Sequence, residues 1–382
     1  MLVETQKIEI MKKLKVIISG GGTGGHIFPA ISVAKSLEKK VKFIELLFVG
    51  SKNRMEMQKI PEYGYSIKGL WISGFQRSFS LRNLLFPIKL ISSLIKSRNI
   101  IRDFRPDLVI GTGGFASGPL LYIASKIGIP SVIQEQNSYP GITNRLLGRH
   151  VNKVCVAYDN MERFFDKKKL ILSGNPIRES IINFKDKTYY GKKLFNVDNN
   201  KITVLVIGGS LGSKTINESI SQNLNLFKKH NLNLIWQTGT SFVNESNEYT
   251  QNLNIEGISS HVFIKEMDLA YAAADIIISR AGAIAISELC FIGKPIILVP
   301  SPNVAEDHQT KNAQSLVNKN SALMVKDVNS KRKLVEVLIS LSKNKKLQNE
   351  LINNIKKLAV ADAAEHIADI SLGLLKNEFE SV

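Results

Sequence analysis

The sequence predicts an α/β protein built from two Rossmann-like, parallel-sheet domains that face a cleft. Three observations lead to this fold class. Short β-branched apolar runs alternate with helical patterns along most of the 382 residues, as expected for parallel strands joined by right-handed crossover helices. The succession of strand, glycine loop and helix occurs twice, from residue 14 and again from residue 202. The length suits two domains of ordinary size.

The predicted elements begin with a strand at Leu14 to Ser19, which runs into the glycine cluster Gly20 to Gly25. The following helix has Ile31, Ala34 and Leu37 on one face, which is typical of a helix packed against a sheet. Further strands are predicted at Glu45 to Val49, Asp107 to Ile110, Ser131 to Gln134 and Lys153 to Ala157.

The second half repeats this theme after the polar stretch 185–200. A strand at Ile202 to Ile207 leads into the loop Gly208 to Gly212, and a helix follows. A last strand is predicted at 295–300 and a last helix at 359–375. The pattern therefore predicts a second sheet of the same kind.

Two segments echo each other across the halves. Asp107-Leu-Val-Ile-Gly-Thr-Gly-Gly resembles Asp275-Ile-Ile-Ile-Ser-Arg-Ala-Gly, and in both a strand runs into a turn of small residues. Their separation is far too long for a solenoid repeat, so we interpret the echo as duplication of a domain. Ligands in such sheets bind outside the carboxyl ends of the strands, where the glycine loops lie.

The composition excludes extended disorder, with 44% hydrophobic and 22% charged residues. The charge is less ordinary, because 51 Lys and Arg against 33 Asp and Glu give a formal net charge of +18. Such a balance favours nucleic acid, an acidic membrane surface or phosphorylated substrates as partners, although lysine-rich codon usage also produces it.

Nothing in the sequence predicts a membrane span or export. No stretch reaches the roughly 18 uninterrupted apolar residues that a span requires, and the first residues lack the pattern of a cleaved signal. Cys155 and Cys290 lie in apolar runs without metal-binding spacing, so we expect two buried thiols in a protein that stays inside the cell.

The first glycine loop, Gly20 to Gly25, is followed directly by His26. Glycines after a buried strand let the backbone approach a ligand, and the next helix directs its first N–H groups at an anion. The spacing fits neither a P-loop nor a dinucleotide fingerprint, because no Gly-Lys-Ser/Thr follows and Glu56 lies too far along to hold a ribose. His26 is a candidate general base, and the alternative is a histidine that only forms local hydrogen bonds.

Three segments of the second half carry candidate ligand contacts. The loop Gly208 to Ser213 combines N–H groups with hydroxyls and suits a diphosphate. Residues 279–288 predict a strand end, a turn and a helix carrying Glu288, which can accept hydrogen bonds from a vicinal diol or can merely stabilise the helix. The polar cluster 306–313 can bind a sugar. No Asp-x-Asp pair occurs in the sequence, so we expect no metal and no cofactor.

These motifs and their order resemble the MurG family of bacterial N-acetylglucosaminyltransferases. The resemblance covers residues 12–364 and is carried by GGTGGHIFPA (21–30), GTGGFASGP (111–119), EQN (135–137), GNPIR (174–178), GGSLG (208–212), SRAGAIAISE (279–288) and DHQTKNA (307–313). It implies a GT-B fold and an inverting glycosyltransferase. Such an enzyme moves GlcNAc from UDP-GlcNAc to the 4-hydroxyl of the muramyl group of lipid I, forming lipid II for peptidoglycan synthesis.

The resemblance also implies a domain organisation. We expect a tail at 1–11, an acceptor and membrane-side domain at 12–174, and a UDP-sugar donor domain at 175–362. By analogy with other GT-B folds, a C-terminal helix within 363–382 is expected to return to the first domain.

The resemblance assigns roles to individual residues, with His26 as the general base. Glu288 would hold the ribose, Ile264 the uracil and Gln309 the sugar hydroxyls. The implied donor contacts are Thr23, Gly24, Gly25, Asn137, Arg178, Ser210, Ile264, Ala283, Ile284, Ala285, Ile286, Ser287, Glu288 and Gln309. The implied acceptor-diphosphate contacts are Gly22, Gly111, Thr112, Gly113 and Gly114.

The stretch 75–105 is both basic and apolar, with Pro87 expected to open or kink a helix. The apolar residues at helical spacing are Leu81, Leu84, Leu85, Ile88, Ile91 and Ile95, and the cations that recur every seven residues are Arg82, Lys89 and Lys96. A basic amphipathic helix suits an anionic membrane surface, and the alternative is a helix packed on its own domain. With an undecaprenyl-linked acceptor, we expect peripheral binding to the cytoplasmic face of the cell membrane and association with other cell-wall synthesis enzymes.

Three alternatives stay open at this point. Another GT-B lipid glycosyltransferase with a different acceptor would share the donor half. A nicotinamide oxidoreductase would explain glycine loops but lacks a well-placed ribose acid. A nucleic-acid-binding protein would explain the charge, yet the sequence has no RNP-like aromatic residues, zinc pattern or basic tail, so we expect no nucleic-acid partner.

Overall fold

The computed structural model describes residues 13–74, 85–182, 184, 186–209, 211–242 and 256–375. Within these residues the chain forms two compact units. The first unit comprises 13–136, 140–176 and 362–375, and the second comprises 137–139 and 177–361. Each unit contains one parallel sheet flanked by helices, which confirms the predicted fold class.

The first unit has a seven-stranded sheet in the order β3-β2-β1-β4-β5-β6-β7, and all its strand pairs are parallel. The strands are β1 (Leu14–Gly20), β2 (Ile44–Ser51), β3 (Ser66–Leu70), β4 (Leu108–Gly113), β5 (Ser131–Glu135), β6 (Lys153–Val156) and β7 (Leu170–Leu172). The helices are α1 (Gly24–Lys40), α2 (Glu56–Glu62), α3 (Phe86–Phe104), α4 (Ser117–Lys126), α5 (Ile142–Leu147) and, at the end of the chain, α15 (Ala363–Leu372).

The second unit has a six-stranded parallel sheet in the order β10-β9-β8-β11-β12-β13. Its strands are β8 (Ile202–Ile207), β9 (Leu232–Gln237), β10 (Ile258–His261), β11 (Ile276–Ser279), β12 (Ile296–Leu298) and β13 (Leu323–Met324). Its helices are α6 (Glu179–Ile182), α7 (Thr188–Leu194), α8 (Lys214–Ser221), α9 (Leu224–Lys229), α10 (Met267–Ala273), α11 (Ala283–Ile292), α12 (His308–Val317), α13 (Ser330–Lys343) and α14 (Lys345–Lys356).

The echo between the two halves has a structural counterpart at the start of β4 and β11. Asp107 accepts a hydrogen bond from the backbone N–H of Lys15 at 2.9 Å, and its own N–H donates to the carbonyl of the same residue. Asp275 makes the same two bonds with Thr203, at 2.8 and 2.7 Å. Each aspartate therefore fixes the pairing of the central strands of its sheet, as expected of duplicated domains.

Both faces of the first sheet are covered, which explains why its strands are apolar without alternation. Val16 and Ile18 belong to one buried cluster, whereas Ile17 belongs to another. The first cluster also includes Ile367 of α15, and the end of this helix is held by an ion pair between Lys40 and Asp369 at 2.8 Å. Among the described residues, the last helix thus packs in the unit that contains β1.

Candidate active site

The candidate site residues cluster where the strand order reverses. In the first sheet the chain winds outward in opposite directions from β1 and β4, and in the second from β8 and β11. Loops after such a pair diverge and leave a crevice at the carboxyl ends of the strands. The glycine loop at 21–23 follows β1, the loop at 114–116 follows β4, and the loops at 208–213 and 280–282 follow β8 and β11.

The two glycine loops of the first unit touch through their backbones. The N–H of Gly21 donates to the carbonyl of Gly113 at 3.3 Å, beside an irregularity in the β1–β4 register. A Cβ atom on Gly114, whose φ is +92°, would lie 2.4 Å from the carbonyl oxygen of Gly21. Only glycine fits here, because both the close approach and the left-handed backbone exclude a side chain.

His26 lies in the first turn of α1, and its ring is held against these loops. Its Nδ1 lies 2.9 Å from the carbonyl oxygen of Gly21. Since a carbonyl can only accept, Nδ1 carries the hydrogen and the neutral ring keeps its lone pair on Nε2. A Cβ atom on Gly113 would lie 2.9 Å from that Nε2, so glycine leaves room beside the ring. This tautomer is the one that a general base requires.

The N-terminus of α1 presents the other predicted residues of the first loop. The cap residue Thr23 is exposed and extended, and α1 has no acidic residue in its first turn. The N–H groups of Gly24 and Gly25 belong to the helix end that has no intrahelical acceptors, so this end attracts anions. Thr112, predicted for the acceptor diphosphate, is fully buried and donates to the carbonyl of His26 at 2.8 Å. Its hydroxyl therefore supports the loop instead of facing a ligand.

The carboxylate of Glu56 is a supporting feature that sequence analysis missed. Its side chain is fully buried and accepts hydrogen bonds from the N–H of Gly22 at 2.8 Å and of Ser51 at 2.9 Å. Gly21 and Gly50 make room for it, because a Cβ atom on either would lie within 2.5 Å of its atoms. Glu56 thus ties the first glycine loop to the end of β2.

In the second unit, the loop after β8 is fixed by Gln237 at the end of β9. The Gln237 amide donates to the carbonyl of Gly209 at 3.0 Å and accepts from the N–H of Ile264 at 3.0 Å. Ile264 is buried, and its N–H is occupied, so a base could be recognised here only through the Ile264 carbonyl or side chain. Ser213 caps α8 by accepting from the N–H of Ile216. Ser210 lies outside the described residues.

Glu288 and Arg178, both predicted to bind the donor, contact each other directly. Nε of Arg178 donates to Oε1 of Glu288 at 2.7 Å, and Nη2 donates to Oε2 at 2.8 Å. Oε2 also accepts from the hydroxyl of Tyr271 at 3.2 Å. The Glu288 side chain is 4% exposed and that of Arg178 is 35% exposed. Burial and the neighbouring Glu288 charge raise the pKa of Tyr271, which keeps its hydroxyl a donor.

The first turn of α11 is a helix N-terminus among the candidate residues of the second unit. Gly282 caps the helix without a side-chain hydrogen bond, and the first turn carries no acid. Ala283, Ile284, Ala285 and Ser287 are partly exposed, whereas Ile286 is buried and faces the core.

Gln309 lies beside this helix end. Its Oε1 accepts from the N–H of Ala281 at 3.2 Å and of Ser301 at 2.9 Å. Because both donors are backbone groups, the amide orientation is fixed, and Nε2 is the part of the amide that remains for a sugar hydroxyl.

The orientation of the Asn137 amide is also fixed by a backbone donor. The N–H of Ser138 donates to Oδ1 of the fully buried Asn312 at 3.0 Å, so the other amide atom of Asn312 is the nitrogen. That nitrogen lies 3.2 Å from Oδ1 of Asn137. The Asn137 amide oxygen therefore accepts a hydrogen bond from Asn312 within the second unit.

The described residues contain neither a metal-binding cluster nor a membrane-spanning helix. No group of three or more His, Cys, Asp and Glu side chains there is arranged to hold a metal ion. No helix in that part of the chain is long and apolar enough to cross a bilayer.

Comparisons with known proteins match both units. The family model for the glycosyltransferase family 28 N-terminal domain matches residues 16–156, and that for the family 28 C-terminal domain matches residues 203–367. A relative from Flavobacterium psychrophilum is 50% identical over 96% of this chain and 100% of its own. One from Cytophaga hutchinsonii is 49% identical over 94% of this chain and 96% of its own. Both are named UDP-N-acetylglucosamine–N-acetylmuramyl-(pentapeptide) pyrophosphoryl-undecaprenol N-acetylglucosamine transferase.

Solved structures agree with this family. The crystal structure of MurG from Acinetobacter baumannii superposes with a TM-score of 0.76 at 26% identity, covering 94% of this chain and 99% of that one. A UDP-GlcNAc 2-epimerase from Neisseria meningitidis, solved with UDP-GlcNAc bound, has a TM-score of 0.65 at 14% identity over 95% of this chain and 100% of its own. The second similarity shows the fold alone.

The Glu56 contacts lead to a stability prediction. Glu56→Gln places an amide NH₂ group where a carboxylate oxygen now accepts a buried backbone N–H. We expect the free energy of unfolding to fall by about 2 kcal/mol, since one buried donor loses its acceptor. Urea unfolding of the full chain measures this. The matched control is Glu62→Gln on the same helix, whose exposed carboxylate pairs only with Lys59 among its described contacts. Equal stability of the two variants would contradict the role of Glu56.

Proposed function

The chain belongs to glycosyltransferase family 28 and within it to the MurG family, and we propose on this basis that it transfers N-acetylglucosamine from UDP-GlcNAc to lipid I. The acceptor group is the 4-hydroxyl of the muramyl sugar, and the product is lipid II for peptidoglycan synthesis. The observation that carries this conclusion is the similarity, across both units and nearly the whole chain, to transferases of that name.

The reaction is a direct displacement with inversion. The 4-hydroxyl oxygen forms a bond to the anomeric carbon while the bond from that carbon to the UDP oxygen breaks. The hydroxyl proton goes to Nε2 of His26, the nitrogen that the bond from Nδ1 to Gly21 leaves basic. General-base assistance of this kind accelerates reactions by about 10²–10⁴-fold.

The leaving diphosphate needs compensation for its negative charge. Two features of the second unit can supply it, namely the first turn of α11 and the guanidinium of Arg178, since neither helix dipole nor guanidinium requires a bound metal. Gln309 supports the sugar assignment, because two backbone N–H groups engage its amide oxygen and its Nε2 atom remains a donor. Asn137 is a further proposed donor contact. Glu288 is the proposed acceptor for the ribose hydroxyls.

The outer side of α3 supports binding to a membrane surface. Ile88, Ile91 and Ile95 are 55%, 59% and 59% exposed and lie at helical spacing on one face. Lys89 lies beside the exposed ring of Trp71, with Nζ 5.8 Å from the ring centroid. Burial, with the nearby charges of Lys52 and Lys68, lowers the pKa of Lys96, which indicates several cations close to this face.

An apolar stripe beside lysines fits an anionic bilayer, and we place the protein at the cytoplasmic face of the membrane that holds its lipid-linked acceptor. Arg82, the third predicted cation, lies outside the described residues.

The reaction itself is tested by UDP release from UDP-GlcNAc with and without a lipid I analogue in detergent. We expect release to depend on the analogue, because the donor's anomeric carbon needs the acceptor hydroxyl. An analogue whose muramyl 4-hydroxyl is replaced by hydrogen is the control. Donor binding without acceptor-dependent release would contradict the acceptor assignment and favour a different lipid acceptor.

The general-base role is tested with two variants of His26. His26→Ala should lower kcat by at least 100-fold with little change in the KM for UDP-GlcNAc. His26→Asn can still donate to the Gly21 carbonyl but has no basic nitrogen, so its kcat should be equally low. The exposed His150→Ala serves as control. A His26→Asn enzyme with native kcat would show that the residue only holds the loop.

The membrane face is tested by sedimentation with vesicles of phosphatidylglycerol and phosphatidylethanolamine. Lys89→Glu combined with Lys96→Glu should weaken binding at least tenfold, since each cation near the surface contributes about 1 kcal/mol. The matched control is Lys228→Glu with Lys229→Glu on α9 of the second unit. Unchanged binding of the α3 variant would contradict this location of the face.

A further inference from the structure

Glu288 has three hydrogen-bond donors among the described residues, and they divide unequally between its oxygens. Oε1 accepts only from Arg178, whereas Oε2 accepts from Arg178 and Tyr271. A carboxylate oxygen has about two acceptor sites. Oε2 is therefore saturated, and Oε1 is the oxygen with a site left for a further hydroxyl.

The two partners of Glu288 differ in burial. The Arg178 side chain is partly exposed and lies directly before α6, whereas Tyr271 is almost fully buried in α10. Nζ of Lys294 donates to the carbonyls of Tyr271 at 2.8 Å and Ala272 at 2.9 Å, and also to that of Ala274. The end of α10 is thus anchored at the residue that carries the hydroxyl.

Helix α10 is fixed from its other side as well. A Cβ atom on Gly191 of α7 would lie 2.3 Å from the carbonyl oxygen of Leu269, so the two helices are in backbone contact. Lys187 pairs with Asp268 at 2.7 Å near the start of α10. The helix that carries the Tyr271 hydroxyl is therefore fixed on both sides.

We propose that Tyr271 is a positioning residue for nucleotide recognition: its hydroxyl holds Oε2 of Glu288 so that Oε1 accepts a ribose hydroxyl. The inference rests on the proposed ribose contact of Glu288 and adds the residue that orients it. Tyr271 does not touch the nucleotide. Tyr271 thereby gives the protein a preference for nucleotides that carry the ribose 2′-hydroxyl.

The test compares UDP with 2′-deoxy-UDP by isothermal titration calorimetry on the full chain. Tyr271→Phe should weaken UDP binding about tenfold, the effect of losing a hydrogen bond that orients a charged group. Binding of 2′-deoxy-UDP should change less than twofold, so the preference for UDP falls. A merely structural role would weaken both ligands alike and leave their ratio unchanged, which would overturn the proposal.

Tyr65→Phe is the matched control. Its hydroxyl also donates to a carboxylate, that of Glu38 at 2.7 Å, but in the first unit and near the C-terminal end of α1. We expect this variant to bind UDP and 2′-deoxy-UDP as the native protein does. If it shifts the ratio as Tyr271→Phe does, the proposal is overturned.

Glu288→Gln separates this inference from the proposed function. Loss of the UDP preference in Glu288→Gln, with a native preference in Tyr271→Phe, would overturn the role of Tyr271 and leave the ribose contact standing. A native preference in Glu288→Gln would overturn the ribose contact itself and the inference with it.

A second variant keeps the test decisive if Tyr271→Phe does not fold. Replacement of Tyr271 by 4-aminophenylalanine retains a donor at the same position, and the UDP preference should stay near its native value. A preference as low as that of Glu288→Gln would overturn the proposal.

Discussion

The pairing of the central strands, β1 with β4 and β8 with β11, is the constraint on which the rest of each unit depends. Because the chain winds outward in opposite directions from these pairs, the loops after them diverge at one edge of the sheet. Asp107 and Asp275 fix where each pair begins by binding the backbone of β1 and β8. In each unit a glycine loop and the first turn of one helix, α1 in the first unit and α11 in the second, then lie where the strands end, and each helix N-terminus suits an anion.

The sequence predicted most of the strands that are covered on both faces, because a continuous β-branched run is typical of a strand buried in a parallel sheet. It missed β9, which contains the buried Asn233. Its amide nitrogen donates to the carbonyl of Asp198 and to the hydroxyl of Thr203, contacts that no local pattern reveals. It also missed the edge strands β3 and β10, whose polar residues (Ser66 and Lys68, Ser259 and Ser260) resemble loops. Whether such a polar segment forms an edge strand depends on the strand with which it pairs. That partner is set by the fold and not by the local sequence.

The candidate site likewise contains residues that the sequence could identify and residues that it could not. Residues that present backbone or side-chain groups to ligands lie in glycine loops and helix starts, so motif spacing could single them out. The residues that hold them, Glu56, Gln237, Tyr271 and Asn312, are separated along the chain from the groups they fix. Gln237 reaches back 28 residues to Gly209, and Asn312 lies 174 residues from Ser138. Only Asn312 lies in a recognisable motif, the polar cluster 306–313 that the sequence predicts to bind a sugar. Because Asn312 is buried, it supports Asn137 instead.

The contact between Arg178 and Glu288 shows how a binding carboxylate can be kept in a folded protein without a ligand. A buried, uncompensated carboxylate costs several kcal/mol, so Glu288 needs donors before any nucleotide arrives. Arg178 supplies a permanent charge and five N–H donors, of which the pair uses two. Removing Arg178 would therefore change folding and binding together, because the same guanidinium balances the carboxylate and attracts phosphate. Removing the Tyr271 hydroxyl leaves that charge balance intact, so this change alters only the orientation of the Glu288 carboxylate.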